Sequence, residues 1–109
     1  MRKVKRRRLE RAGWRVGSTR EFLGLSDEEA AFIELKLSLA QSLRKERQKQ
    51  GLSQMQLAKL LESSQSRVAK MEAGDRSVTL DLLVRSLLAI GTTRRQLARI
   101  IVAERRSAA

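Results

Sequence analysis

Two stretches of sequence decide the fold of this chain: LSQMQLAKLL at residues 52–61 and SQSRVAKMEAG at residues 64–74, joined by Glu62-Ser63. A serine precedes each predicted helix, where its hydroxyl can accept a hydrogen bond from a free amide of the first turn. Gly74 stands where the second helix should end, because glycine readily adopts the left-handed conformation that closes many helices. The pattern therefore predicts two short helices, over residues 54–61 and 65–73, with a tight turn between them.

The second of these helices has one polar side, formed by Gln65, Ser66, Arg67 and Lys70. Glutamine and lysine suit base edges in the major groove, while arginine and serine suit phosphates or bases. The start of the helix, with Ser64 as its N-cap, also offers free backbone amides to a phosphate. A helix-turn-helix recognition helix needs these properties. The alternative interpretation is an ordinary bundle helix with a solvated polar face.

A longer helix is predicted before this pair. Ser26 and Glu29 form a capping-box pattern, and the acidic residues of the first turn suit the positive end of the helix dipole. Gly51 ends the pattern, so we expect a helix over residues 27–50. Its apolar side chains cover a wide arc over residues 30–40, which could be core alone or core together with an interface.

Two more helices are predicted after the pair. Thr79 and Thr93 are suitable N-caps, and Gly91 separates the two helices, which should end near Ile90 and Ala103. The inward side of the first should be formed by Leu80, Leu83, Val84, Leu87 and Leu88. Proline is absent and good helix formers dominate the composition. We therefore expect an all-α fold, a five-helix bundle with short connections.

The composition argues against several classes of function. The 109 residues suit one small domain, and they include neither cysteine nor histidine. Disulfides and thiolate zinc sites are therefore excluded, and the commonest general base and metal ligand is missing. We expect no enzyme activity, no metal site and no cofactor. The net charge of +12 instead indicates a polyanionic partner, such as nucleic acid or an acidic surface.

Much of this charge lies at the start of the chain, where the first 20 residues include nine basic residues and one acidic residue. We interpret residues 1–25 as a basic arm that precedes a domain over residues 26–109. The arm could be a solvated tail, could track DNA phosphates or enter a minor groove, or could clamp an acidic surface of a partner.

No apolar run approaches the roughly 18 residues of a membrane span. No apolar segment follows the basic start, as one would in a secretory signal. We therefore expect no membrane contact and a cytoplasmic location.

The chain resembles the Cro and phage-repressor (xenobiotic-response-element) helix-turn-helix family over about residues 39–90. The resemblance rests on Ser53-Gln54, Gln56-Leu57-Ala58, Ser64-Gln65-Ser66 and Met71-Glu72-Ala73-Gly74 at these spacings. It implies a fold of the lambda-repressor-like type, with the motif at residues 54–73, and binding to double-stranded DNA. Two residues depart from the family. Glu62 replaces the usual glycine of the turn, so the turn must differ unless Glu62 adopts a positive φ, and Val78 stands where many members have proline.

The resemblance also implies roles for individual residues. Contacts with bases or thymine methyl groups are implied for Ser64, Gln65, Ser66 and Lys70. Phosphate contacts are implied for Gln54, Arg67 and Arg76. Arg47 and Glu72 match a family pair that forms an internal salt bridge, so we assign them to the fold and not to base recognition.

Such motifs usually bind two half-sites, so we expect a homodimer. The last helix is the first choice for the dimer surface, through Leu97, Ile100 and Ile101.

The segment before the motif carries a second resemblance. The basic start, Val16-Gly17 and FLGLSDEEA at residues 22–30 resemble antitoxins of the HigA type. In those, one small protein represses its own operon and neutralises a RelE/HigB-like ribonuclease toxin. We predict a sequence-specific DNA-binding transcription regulator, a repressor that also serves as the antitoxin of such an operon. The alternatives are a protein-inhibitor module whose main role is to neutralise such a toxin, and nonspecific nucleic-acid binding through the basic arm.

Overall fold

The computed structural model describes residue 24 and residues 26–103. Apart from Gly24, the predicted basic arm lies outside the described residues. The chain divides into two units, Met1–Ile33 and Glu34–Ala109, and each is described by itself.

The described residues form five helices, and no strand occurs among them. The helices are α1 (Asp27–Lys49), α2 (Gln54–Leu60), α3 (Gln65–Ala73), α4 (Leu80–Ala89) and α5 (Arg94–Val102). The prediction of an all-α, five-helix fold is confirmed. Each helix begins within one residue of its predicted start and ends within about one residue of its predicted end.

Short-range hydrogen bonds explain this agreement. Ser53, Ser64, Thr79 and Thr93 each lie in extended backbone, and each side chain accepts a hydrogen bond from an amide in the first turn of its helix. Glutamines at the third helical position complete capping boxes at α2 and α5, which the sequence analysis had not predicted. Because each N-cap lies within three residues of its partner, local sequence is sufficient to set these helix starts.

In the first unit, the described residues include the beginning of α1. The Ser26 hydroxyl accepts a hydrogen bond from the Glu29 amide at 3.1 Å, and the Ser26 amide donates to the Glu29 carboxylate at 3.4 Å. The predicted capping box is therefore present. Phe32, on the next turn, is half exposed.

In the second unit, all five helices contribute to one apolar core. Its fully buried larger side chains are Leu39, Leu43, Leu57, Val68, Met71, Leu83 and Leu87. Leu80 and Val84 pack against this core from α4, as predicted. The prediction for Leu88 was wrong, because its side chain is 46% exposed. Leu82 packs against the core from the same helix.

The turn between α2 and α3 contains Glu62 where a glycine is usual. Glu62 adopts a φ of 54°, a left-handed conformation that non-glycine residues seldom occupy. The next amide, that of Ser63, donates to the carbonyl oxygen of Ala58 at 2.8 Å and closes the end of α2. The departure from the family therefore leaves the turn intact at a cost in backbone strain.

The other departure, Val78, is 4% exposed and belongs to the core. Its amide donates to the carbonyl oxygen of Asp75 at 3.0 Å. A proline at this position would lack that donor. Valine therefore closes the loop after α3 with a hydrogen bond that the family's usual residue cannot make.

Within residues 24 and 26–103, we find no helix that combines the length and the apolar character needed to cross a membrane.

Candidate nucleic-acid interface

Helix α3 packs against α2 and presents a continuous polar surface to solvent. Val68 and Met71 are fully buried beneath it. The residues predicted to contact DNA from this helix and its N-cap are all exposed: Ser64, Gln65, Ser66, Arg67 and Lys70. The structure therefore brings these five side chains together on one exposed helix, although their contacts with DNA stay a prediction.

The N-cap position restricts what Ser64 can do. Its hydroxyl oxygen accepts a hydrogen bond from the Arg67 amide at 3.2 Å. The hydroxyl hydrogen remains available as a donor, so Ser64 can still bind an acceptor on DNA. The first amides of α3 have no partner within the helix, which makes this end suitable for a phosphate.

Gln65, the first residue of α3, is held by a neighbour from α2. Its side-chain amide donates to Gln54 Oε1 at 3.3 Å, and the amide of Gln54 donates to Glu72 Oε1 at 3.2 Å. Gln54 therefore lies between the first residue of α3 and a buried carboxylate. The resemblance implies a phosphate contact for Gln54, and nothing in the sequence pattern indicates its link between Gln65 and Glu72.

Glu72 is itself held by Arg47 of α1. Arg47 Nε donates to Glu72 Oε2 at 2.6 Å, and Arg47 Nη2 donates to Glu72 Oε1 at 3.0 Å. The two side chains are only 12% and 4% exposed. Hydrogen bonding to Glu72 raises the pKa of Arg47 above its ordinary value, although burial acts in the opposite direction. The pair forms the internal salt bridge that the resemblance implied.

These contacts form one continuous network. Arg47 Nη1 also donates to the carbonyl oxygen of Leu52 at 2.7 Å, in the connection before α2. The network runs from Leu52 through Arg47, Glu72 and Gln54 to Gln65. The exposed Gln65 of α3 is therefore connected to α1 through Gln54 and the buried pair of Glu72 and Arg47.

The loop after α3 carries Arg76, whose side chain is exposed. Asp75 accepts hydrogen bonds from the amide and hydroxyl of Ser77 at 2.9 and 2.7 Å. These two bonds lower the pKa of Asp75 below its ordinary value, and the positive charges of Lys70 and Lys36 add to the effect. The loop is therefore a turn closed by hydrogen bonds to Asp75.

Lys36 was missed by the sequence analysis. It is 7% exposed, and its ammonium group donates to the carbonyl oxygen of Arg76 at 3.4 Å. A signal was present in the sequence. Lys36 lies three residues before Leu39 and four before Ala40, at the spacing that places side chains on one face of a helix, and both are predicted to be apolar inward residues.

The predicted dimer residues lie at different depths. Leu97 belongs to the core at 8% exposed, and Ile100 packs against the core. Ile101 is 53% exposed, and Val102 beside it is 78% exposed. The assignment of this helix to a dimer stays a prediction, and Ile101 is the one of the three predicted residues with a largely exposed side chain.

The described residues contain no group of acidic side chains arranged to hold a metal ion. The positive charge of this surface comes from three exposed basic side chains on α3 and the following loop: Arg67, Lys70 and Arg76.

A helix-turn-helix family model matches residues 43–97, about half of the chain. The matched segment begins in α1, near Arg47, and extends to Leu97 in α5. No curated protein and no solved structure gives a significant match to the chain.

Proposed function

The chain belongs to the Cro and phage-repressor helix-turn-helix family, and from this premise we propose that it is a repressor that binds its operator as a homodimer. Membership makes the protein a DNA-binding transcription regulator with a lambda-repressor-like fold. Repression, the dimer and a cytoplasmic location are the parts of this proposal that go beyond the family. A bound dimer would exclude other proteins from the promoter that contains its operator.

The observation that carries the proposal is the set of exposed polar side chains on α3, one of which is fixed in place. Gln65 is held by Gln54, so less side-chain entropy is lost when it meets a base than a free glutamine would lose. Glutamine can bind adenine through two hydrogen bonds in the major groove. Gln65 is therefore the strongest candidate for base recognition.

The other side chains divide by chemistry. Ser64, Ser66 and Lys70 are exposed beside Gln65 and are assigned to bases. Arg67 and Arg76 are assigned to phosphates, because exposed guanidinium groups suit the two oxygens of a phosphate. Gln54 retains its predicted phosphate role only if its side chain exchanges one of its present hydrogen bonds for a phosphate oxygen.

The test begins with selection of bound duplexes from a random DNA pool, followed by affinity measurements on the selected site. We expect Gln65→Ala to cost about 1–3 kcal/mol of binding free energy and to relax preference at one base-pair position. Arg67→Ala should weaken binding to all duplexes to a similar extent, since phosphates carry no sequence information. Equal losses on every sequence for Gln65→Ala would remove Gln65 from base recognition. Failure to select any site would refute a sequence-specific repressor.

A second candidate function is that of an antitoxin that neutralises a RelE/HigB-like toxin. The resemblance of residues 16–30 to HigA-type antitoxins supports it, and the half-exposed Phe32 on α1 offers an apolar contact for a partner. Purification of the tagged protein from its own cells tests the idea. A small basic protein recovered in stoichiometric amount would support the antitoxin function. Enriched promoter DNA without such a protein would support a repressor that has no toxin partner.

Nonspecific binding through the basic arm is the remaining alternative. It requires that deletion of residues 1–15 abolish all affinity for DNA. A truncated protein that still prefers the selected site would eliminate it.

A further inference from the structure

Lys36 is buried to an extent that is rare for lysine. It is 7% exposed, whereas lysine is almost never fully buried unless it is paired. Its ammonium group therefore needs polar partners to compensate for lost hydration. The carbonyl oxygen of Arg76 supplies one at 3.4 Å. The carboxylate of Asp75 is close enough that the charge of Lys36 contributes to lowering the pKa of Asp75, after the larger effect of Ser77.

The loop that receives this contact is held at several other points. Gly74 has a φ of 66°, and a Cβ added there would lie 2.6 Å from Cδ2 of Leu37, the residue after Lys36. Asp75 and Ser77 form the turn described above, and Val78 is buried. Residues 36 and 37 of α1 are thus the surface against which the end of α3 and the following loop pack.

These contacts place the backbone and the side chain of Arg76 in different surroundings. Its carbonyl oxygen accepts a hydrogen bond from the buried Lys36, while its side chain is exposed to solvent. A guanidinium on an unrestrained loop would lose backbone and side-chain entropy when it bound a phosphate. With the backbone already ordered, part of that loss occurs on folding and not on binding.

We propose that Lys36 is a positioning residue for DNA binding, which orders the Arg76 backbone so that the Arg76 side chain meets a phosphate beside the recognition helix. The inference rests on the proposed function and deepens it. Lys36 contributes to the phosphate affinity without touching DNA and leaves base preference unchanged.

The test uses Lys36→Met, which removes the ammonium group and keeps most of the side chain's length. Lys45→Met is the matched control. Lys45 lies on the same helix two and a half turns later, so it is on the opposite face of α1, and it is exposed. Both variants lose one positive charge, so a difference between them cannot come from net charge.

Affinity is measured for a short duplex of random sequence over a range of salt concentrations. Each phosphate contact contributes a slope of about 0.9 in the logarithmic salt dependence, so one lost contact weakens binding about five- to tenfold near 0.1 M salt. We expect Lys36→Met to approach the loss that Arg76→Ala causes and to reduce the slope by about 0.9. Lys45→Met should change affinity by less than about twofold and leave the slope unchanged, since a side chain that contacts no phosphate does not enter the salt dependence.

The double variant decides whether the two residues act together. If Lys36 acts through Arg76, Lys36→Met should have almost no further effect in the Arg76→Ala background. Equal losses from Lys36→Met in both backgrounds would overturn the proposal. A loss of affinity with an unchanged salt slope would also overturn it, because a general structural defect does not remove one phosphate contact.

Stability and local order are measured in parallel. Methionine is apolar and of similar volume, so it can fill the space that the buried carbon chain of Lys36 occupies. We expect faster hydrogen exchange at the Ser77 and Val78 amides and unchanged exchange in α3. If Lys36→Met does not fold, Lys36→Leu also removes the donor and is tested in both backgrounds by the same criterion.

The same measurements distinguish failure of the proposed function from failure of the role of Lys36. If the unaltered protein does not bind DNA, the proposed function fails and this inference fails with it. If the unaltered protein binds and Arg76→Ala weakens it, but Lys36→Met behaves like Lys45→Met, the inference alone is wrong.

Discussion

Glu62 is the residue at which local preference and fold disagree most clearly. It has a φ of 54° in the turn between α2 and α3, where a Cβ atom costs about 1–2 kcal/mol. The side chain is exposed, so no burial offsets this cost at that position. The packing of α2 on α3 must therefore compensate for the strained backbone.

Replacing Glu62 with glycine should relieve that strain. The gain is reduced by the greater freedom of glycine in the unfolded chain, about 0.5–1 kcal/mol, so we expect a net stabilisation of about 0.5–1 kcal/mol. Urea denaturation, followed by circular dichroism, measures the change in the free energy of unfolding.

Two controls isolate the backbone effect at position 62. Glu62→Ala removes the same charge but keeps a Cβ atom, and it should not be stabilising. Lys59→Gly places glycine in the helical backbone of α2, where it should destabilise by about 1 kcal/mol. Stabilisation by alanine as large as that by glycine would contradict an origin in backbone strain.

Among the helices, α1 and α3 are tied by the buried pair of Arg47 and Glu72. Both charges are largely removed from water, at 12% and 4% exposed, and each bonds mainly to the other. Removing one partner of a buried pair typically costs about 3–5 kcal/mol, because the remaining charge is left without compensation. Replacing both with apolar residues is often neutral.

We therefore expect Arg47→Met and Glu72→Met each to lower the free energy of unfolding by about 3–5 kcal/mol, and the double variant to recover most of this loss. Urea denaturation of the four proteins gives the coupling energy of the pair. Additive losses in the double variant would show that the two residues stabilise the fold independently of each other.

The same double variant separates stability from recognition. It should fold, but Gln54 would lose its acceptor on Glu72 and Gln65 would lose part of its support. Base preference should therefore weaken even where stability is restored. Unchanged preference would show that the Gln54–Gln65 contact is sufficient by itself.

At the scale of the whole molecule, an operator of two half-sites about 34 Å apart calls for two copies of the chain. Ile101 and Val102 are exposed near the end of α5, and exposed apolar side chains of this kind suit a symmetric contact. The dimer is the part of the proposed function that a single chain cannot display.

We expect Ile101→Glu to convert a dimer to a monomer at micromolar concentration, because a carboxylate would be buried without a partner in the contact. Sedimentation velocity over a range of concentrations measures the association. Arg99→Gln is the control, since it changes net charge by the same amount and lies on a different side of α5. Dissociation by Arg99→Gln to the same extent would indicate a charge effect, and an unaffected Ile101→Glu dimer would move the interface elsewhere.

Local sequence is sufficient to predict the helices, their N-caps and the residues of the exposed polar face of α3. It also indicated that Glu62 either adopts a positive φ or changes the turn, and the structure shows the positive φ. These features depend on atoms no more than a few residues apart, as when the Ser64 hydroxyl accepts from the Arg67 amide, and on the spacing of apolar side chains along one helix. Such interactions can be inferred from a short stretch of sequence without knowledge of the rest of the chain.

The tertiary structure decided which partners the polar side chains reach. Gln65 meets Gln54, 11 residues away, and Lys36 meets Arg76, 40 residues away. It also placed Leu97 in the core and Leu88 at the surface. These outcomes depend on how whole helices pack, because small rotations of a helix decide which of its neighbouring side chains face the core and which polar atoms come within hydrogen-bonding distance.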